Sequence, residues 1–355
     1  MNKKWCVLSM VGAVVLLLGI FLSAPAFAQN ASETKDVIDR TIKVYVDGVL
    51  LMPAGDSPKT IEPLLYDGNV YLPIWALREA LGKPVEWDST TNSVYIGEPA
   101  EMAEITVGTA EELISALGSN RRILLKEGVY NLTTVDPGYV SPSVYSSERP
   151  DGPELFLDGV HNLTIQGAGD EQSEIVVEPR YANVMNFQNC SNISIVNIKA
   201  GHTEDGMCSG GVFLFDNCTG IQIDDTQMYG CGTLGLILNK VTDVKVTGST
   251  IYGCTSGIMN IQGSSNVLLK ECVFRDNTAY DLMIGVEHTS GLTFDSCSFL
   301  RNTNASAMFY LSGCENIAIE NTEFIDNDVE NLVERGELAV DASSQFKNNM
   351  FDAAR

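Results

Sequence analysis

Positive charge is scarce in this 355-residue chain. It carries 22 Lys and Arg against 46 Asp and Glu, a formal net charge of −24. Nucleic acid and anionic lipid both repel such a chain, so neither is an expected partner. Acidic polysaccharide is repelled too unless a metal ion bridges the two. Histidine is rarer, with three residues. Nine cysteines are present, but no two sit at close local spacing. Long apolar runs are almost absent. The exception, Val7 to Leu22, follows Lys3 and Lys4 and precedes Ala26-Phe27-Ala28. That order predicts a cleaved export signal over residues 1–28. No stop-transfer flank follows, so no membrane attachment is expected after cleavage. No Cys stands at the cleavage point, which argues against a lipoprotein. Removing Lys3 and Lys4 takes the charge from −24 to −26 (−24 − 2). The expected location is secreted or cell surface.

What the chain does have is a repeat. Apolar-x-apolar pairs start at Leu163, Ile193, Ile221, Val244, Val267, Leu292 and Ile317, 23 to 30 residues apart. Self-similarity at that period predicts a solenoid, and alternation at period two predicts strands. Six residues before the later starts stand Phe187, Phe215, Leu238, Ile261, Val286 and Leu311. Seven after them stand Met228, Ile251, Phe274, Phe299 and Phe324. Each coil thus offers three short strands facing one interior, which only stacking can bury. The expected fold is mainly β: a right-handed parallel β-helix of about seven to eight coils over residues 104–345, with a tail at 346–355. Ten after the starts, Cys231, Cys254, Asn277, Asn302 and Asn327 align. The asparagines are expected to satisfy backbone groups between coils and to take left-handed φ. Cys190, Cys218 and Cys314 also align, as do Cys272, Cys297 and Thr322. Export favours disulfides, and adjacent rungs could bridge Cys190 to Cys218 or Cys231 to Cys254. The ladder positions favour buried free thiols.

Thr109-Ala110-Glu111-Glu112 is a capping box before Leu113, Ile114 and Leu117. It predicts an amphipathic helix covering the first coil. Residues 137–153 read as a long loop or lid, and Leu338 to Phe351 as the far cap. A separate α+β unit is expected over residues 38–98. It contains Tyr45-Val46-Asp47-Gly48, Tyr71-Leu72-Pro73-Ile74, a helix from Trp75 to Gly82, Val85-Glu86-Trp87-Asp88 and Val94-Tyr95-Ile96. These residues resemble the copper amine oxidase-like N-terminal domain, a small module of bacterial exported proteins. The resemblance implies a spacer or wall-proximal stalk. Copper is not implied, since residues 41–97 contain no His and no Cys. The helix-then-strand entry and Val160-His161-Asn162-Leu163-Thr164-Ile165-Gln166-Gly167 resemble pectate-lyase-like β-helices. The Asn-Thr-Asp, Gly-His-Gly and Arg-Ile-Lys motifs of polygalacturonases are absent, as is the Arg-x-Pro-x-x-Arg motif of pectate lyases.

Candidate chemistry gathers at one corner. The connections at Glu171 to Val184 and Gly201 to Val212 are longer than their later counterparts. They hold Arg180, Tyr181, His202, Glu204, Asp205 and Cys208. His202, Glu204 and Asp205 are the catalytic candidates, as acid/base groups on a glycan. Two other readings stay open: Glu204 and Asp205 as hard oxygen ligands for Ca²⁺, and all three as solvated turn residues. A Cys208–His202 nucleophile pair is a further option. Arg180 offers a planar fork and Tyr181 a ring for a sugar. Leu214 and Tyr310, on an outward row of the first strand with Ile237 and Asn260, are further binding candidates. Asp224, Asp225, His161 and His288 read as turn or structural residues. The expected function is binding, and at its most specific cleavage, of polysaccharide or cell-wall glycan by an exported protein. As an enzyme it would be a polysaccharide lyase or glycoside hydrolase. The alternative is a non-catalytic structural or adhesive solenoid.

Overall fold

The structure is a computed structural model. It describes residues 43–46, 49–50, 64–66, 69–72, 81–83, 85–88, 93–96, 102–135, 141, 143–169, 172–203, 209–230, 234–280 and 282–351. The chain divides into two compact units: residues 1–87 with 94–98, and residues 88–93 with 99–355. In the smaller part, Tyr45–Val46 pairs antiparallel with Val49–Leu50, and Leu64–Tyr66 with Asn69–Tyr71. The helix expected from Trp75 falls mostly outside the described residues, as does the export signal. Among the described residues no helix is long and apolar enough to cross a membrane.

The larger unit is a β-solenoid with three long sheets of ten, ten and nine strands. The expected register is the observed one. Leu163, Ile193, Ile221, Val244, Val267, Leu292 and Ile317 pair in parallel along the second sheet. Phe187, Phe215, Leu238, Ile261, Val286 and Leu311 pair along the first. Met228, Ile251, Phe274, Phe299 and Phe324 pair along the third. Their side chains are almost wholly buried. Phe299 and Phe324 stack at 4.6 Å with planes 3° apart, and Phe346 continues the column at 4.9 Å. Such stacking adds directional attraction to the burial of large apolar area.

Polar ladders hold the corners. Asn277 Nδ2 donates to Asn302 Oδ1 (3.0 Å), Asn302 Nδ2 to Asn327 Oδ1 (3.0 Å), and Asn327 Nδ2 to Asn349 Oδ1 (2.9 Å). These asparagines do not take left-handed φ. The residues just before them do: Asp276, Arg301, Asp326 and Asn348 lie at φ 50 to 56°. The turn puts its strained residue at the surface and keeps the buried amide in ordinary backbone. The cysteines follow the same logic. Ser264 Oγ donates to Leu238 O and Gln262 O. Cys218 Sγ does likewise toward Phe187 O and Asp216 O, and accepts the Cys190 N–H at 3.3 Å. Cys190, Cys218, Cys254, Cys272, Cys297 and Cys314 are free thiols. Five of them stand in for Ser and Thr as small ladder members, while Cys254 stands in the asparagine ladder, its N–H donating to Asn277 Oδ1 (3.0 Å). Cys231, the other half of the second expected bridge, lies outside the described residues.

The helix Ala110–Ala116 buries Leu113 and Ile114 against the first strands, as expected of a cap. Thr109 Oγ1 accepts the Glu112 N–H, and Glu112 Oε2 accepts the N–H of Gly108 rather than of Thr109. Three expectations need correction. Ser173–Val177 is a strand of the third sheet, so the first long connection is 178–184. Residues 144–153 are no free lid: Val144–Arg149 pairs antiparallel with Gly152–Asp158, a hairpin at the edge of the first sheet. The segment expected as the far cap, Leu338 to Phe351, also continues the coil. Ala339–Val340 and Gln345–Lys347 extend the second and third sheets. Their weak apolar alternation hides strands that the preceding coil templates.

Candidate functional site

The corner between the third and first sheets is built on the hairpin. Its turn carries Asp151, whose Oδ2 accepts the Arg180 N–H (2.6 Å) and Oδ1 the Tyr181 N–H (3.4 Å). Gly152 makes the approach possible. A Cβ there would lie 2.6 Å from Pro179 Cγ, at φ 148°. Glu154 is 1% exposed. The Arg149 guanidinium holds its Oε2, while Oε1 accepts both the backbone and side-chain N–H of Asn183, each at 2.7 Å. Asn183 in turn accepts the Gly211 N–H (2.8 Å) and donates to Asn186 Oδ1 (2.8 Å). A buried carboxylate is tolerable when a cation and amide donors surround it, as here.

His202 is not on a loop. It ends the strand Ile198–His202, opposite Val177, and is 5% exposed. Its Nε2 lies 2.8 Å from Ala182 O. A carbonyl only accepts, so Nε2 carries the proton and Nδ1 is bare. Nδ1 is buried and without a partner. Burial lowers the imidazole pKa, outweighing the raising effects of the Ala182 bond and of Asp151. The ring is therefore neutral at pH 7. Glu204, Asp205 and Cys208 lie outside the described residues, and with them the calcium reading.

The clamped segment 178–184 displays Arg180 and Tyr181, both exposed, Tyr181 to 46%. Gly210 N–H donates to Arg180 O (2.9 Å), tying this segment to the next long connection. The structure thus gathers Arg180, Tyr181 and the His202 ring around one corner. Leu214 and Tyr310 are not part of that corner. They share an outward row of the first sheet, in the register Asn186, Leu214, Ile237, Asn260, Gly285, Tyr310. Four rungs separate Leu214 from Tyr310, about 19 Å at 4.8 Å per rung. Both are half-buried, and Arg335 Nη1 donates to the Tyr310 hydroxyl (3.1 Å).

The third sheet carries a feature the expectations did not include. Lys199 Nζ sits 4.4 Å from the Tyr229 ring centroid, Tyr229 and Tyr252 stack at 5.7 Å, and Arg275 Cζ sits 4.1 Å from Tyr252. Tyr229 reaches across Gly201 to donate to Glu174 Oε1 (2.6 Å), which also holds Lys199 Nζ (2.7 Å). Burial pushes the Glu174 pKa up, but the Lys199 and Tyr229 hydrogen bonds outweigh it and hold the carboxyl below its ordinary range. Burial and Glu174 both push the Tyr229 phenol up. Cations and rings occupy the ring faces along this column, so it does not offer a stacking platform to a sugar. The signal was present eight residues after each start, at Gly201, Tyr229, Tyr252 and Arg275.

Residues 182–352 match the family model described as right handed beta helix region. The solenoid is a right-handed β-helix. Residues 54–123 match the copper amine oxidase N-terminal domain. No curated protein matches the chain. Among solved structures, the solenoid is similar to a pectate lyase from Paenibacillus sp. 0602, at 11% identity and TM-score 0.48, covering 71% of this chain and 79% of that one. It is also similar to an alginate lyase from Paenibacillus sp. strain FPU-7, at 12% identity and TM-score 0.38, covering 70% and 99%. A glucanase catalytic domain solved with nigerose is similar at 12% identity and TM-score 0.36, covering 71% and 54%.

Proposed function

We propose that this chain is an exported protein that binds polysaccharide on the first-sheet side of its β-helix, with residues 1–28 removed and the segment 38–98 as a stalk. The observation that carries the reading is the clamp on residues 178–184. Asp151, Glu154 and His202 hold this segment through its backbone and Asn183, while Arg180 and Tyr181 face outward. A loop fixed before binding loses little entropy on binding, which favours recognition. Tyr181 would stack on a sugar ring and Arg180 would hydrogen-bond its hydroxyls.

Binding without turnover is the better-supported form. The His202 Nε2 proton is engaged by Ala182 O, and the ring is buried, so it lacks the reach a general acid or base needs. Glu204 and Asp205 are the acid–base pair to test. Purified mature protein should bind an insoluble or soluble polysaccharide in pull-down and calorimetry. Arg180→Ala and Tyr181→Ala should each weaken binding about tenfold or more, about 1.4 kcal/mol, with little change in melting temperature. Reducing-end and unsaturated-product assays should stay blank. Product that disappears in Glu204→Ala or Asp205→Ala would reinstate a lyase or glycoside hydrolase. Failure to bind any glycan would leave the structural or adhesive solenoid.

A further inference from the structure

The outer face of the first sheet differs in chemistry from the other two. From Met185 to Ser312 its strands contain no Lys and no Arg. The second sheet presents Arg122, Lys245 and Lys270, and the third Lys199 and Arg275. On those rungs it carries amides instead. Asn239 and Gln262 pair on neighbouring rungs, and Asn260 stands beside Ile237. Asn260 and Gln262 are exposed and Asn239 half-buried. Among the described residues none of these three amides has a side-chain hydrogen bond. The same two rows hold Asp216 and Glu287, each one rung from an amide.

Gly285 stands between Asn260 and Tyr310 with no side chain. Its backbone is buried, with Leu282 Cδ1 3.5 Å and Asn260 Cγ 3.9 Å from where a Cβ would stand, so its neighbours do not demand a glycine there. The face therefore offers apolar cover from Leu214 and Ile237, unspent amides, two carboxylates and a tyrosine.

We infer that this face binds a neutral, uncharged glycan laid along the solenoid axis. The inference rests on the glycan-binding reading above and names its substrate class. An amide both donates and accepts, which suits a hydroxyl that does the same. Carboxylates accept from hydroxyls. A uronate would instead set its charge beside Asp216 and Glu287; the strands from Met185 to Ser312 hold no cation, and Arg335, one rung beyond Tyr310, already donates to that hydroxyl. Each like-charge contact costs about 1 kcal/mol at 4 Å in water and more where water is excluded. The overall charge of the mature chain acts in the same direction. The rows from Leu214 to Tyr310 span about 19 Å, enough for an oligosaccharide rather than one sugar.

The test uses purified mature protein in affinity gels and calorimetry with four polymers: a β-glucan, a xylan, polygalacturonate and alginate, the last two with and without Ca²⁺. A neutral polymer should bind, and added salt should leave its affinity unchanged, because no ion pair is made. The uronates should bind at least tenfold more weakly in both conditions. Gly285→Trp should push a large ring out across the row and lower neutral-polymer affinity tenfold or more. Gln262→Ala with Asn260→Ala, both at exposed positions, should lower it without shifting the melting temperature, which guards against misfolding of the tryptophan variant. Uronate binding as tight as neutral binding, and blocked by Gly285→Trp, would overturn the neutral assignment while leaving glycan binding intact. Neutral binding indifferent to all three substitutions would overturn the placement. No binding to any polymer would overturn this inference and the proposed function together.

Discussion

Asn302→Ala should be among the most damaging single substitutions in the solenoid. The side chain is fully buried. Its Nδ2 donates to Phe274 O (2.9 Å) and to Asn327 Oδ1 (3.0 Å), and its Oδ1 accepts the Asn277 N–H (3.2 Å) and Asn277 Nδ2 (3.0 Å). Truncation leaves some of these partners with a second contact. Asn277 Nδ2 still reaches Ile251 O, and Asn327 Oδ1 still accepts the Asn302 N–H. The Asn277 N–H loses its ladder acceptor. An orphaned buried donor costs about 1–3 kcal/mol, and each lost bond with a surviving alternative about 0.5–1.5. With one orphaned donor and two such bonds, the sum is about 2–6 kcal/mol. Asn349→Ala provides the control. It makes the same kinds of bond to Asn327 and Phe324 but is only half-buried at the last rung, where water can replace it. Its cost should be about 1 kcal/mol. Urea unfolding of both variants, followed by circular dichroism and by exchange of the Asn277 amide, measures the difference. If Asn302→Ala falls within about 0.5 kcal/mol of Asn349→Ala, the ladder is not what holds this corner.

Phe299→Ala should cost about 3–5 kcal/mol, since it empties the middle of the column from Phe274 to Phe324; a loss under about 1 kcal/mol in the same unfolding assay would refute the packing. Gly201→Ala would put a Cβ 2.5 Å from Tyr229 O and 2.6 Å from its ring, forcing a shift that costs about 1–3 kcal/mol. Tyr229→Phe should then add little in the Gly201→Ala background, because the Glu174 bond is already disturbed; full additivity in the double-mutant cycle would separate the two residues. His202 has a folded pKa lowered by burial, so the unfolded chain binds the proton more readily. Its contribution to stability is present above the unfolded value of about 6.5 and is lost as pH falls from there toward the folded value. Melting temperature should fall between pH 7.5 and pH 5.5 more in the natural chain than in His202→Gln; equal falls would sink the assignment.

The coil register was legible in one dimension. Period-two alternation at Leu163, Ile193 and Ile221 allows only one face to be buried, and a slip of one residue would turn every such side chain outward. The stacked phenylalanines and the asparagine ladder followed from the same spacing, because equivalent positions on successive coils must touch. The corner was harder to read. Excess length and rare residues located Arg180, Tyr181 and His202, but they could not say that Ser173–Val177 is a strand or that His202 ends one. Those assignments depend on partners dozens of residues away. Glu154 and Asp151 were missed for the same reason: nothing local distinguishes a surface turn from a hairpin whose carboxylates clamp a segment about thirty residues on. Burial, protonation and the distance between candidate residues are set by how coils stack. Local pattern reports which side chains face inward, and only the packed solenoid reports what they meet there.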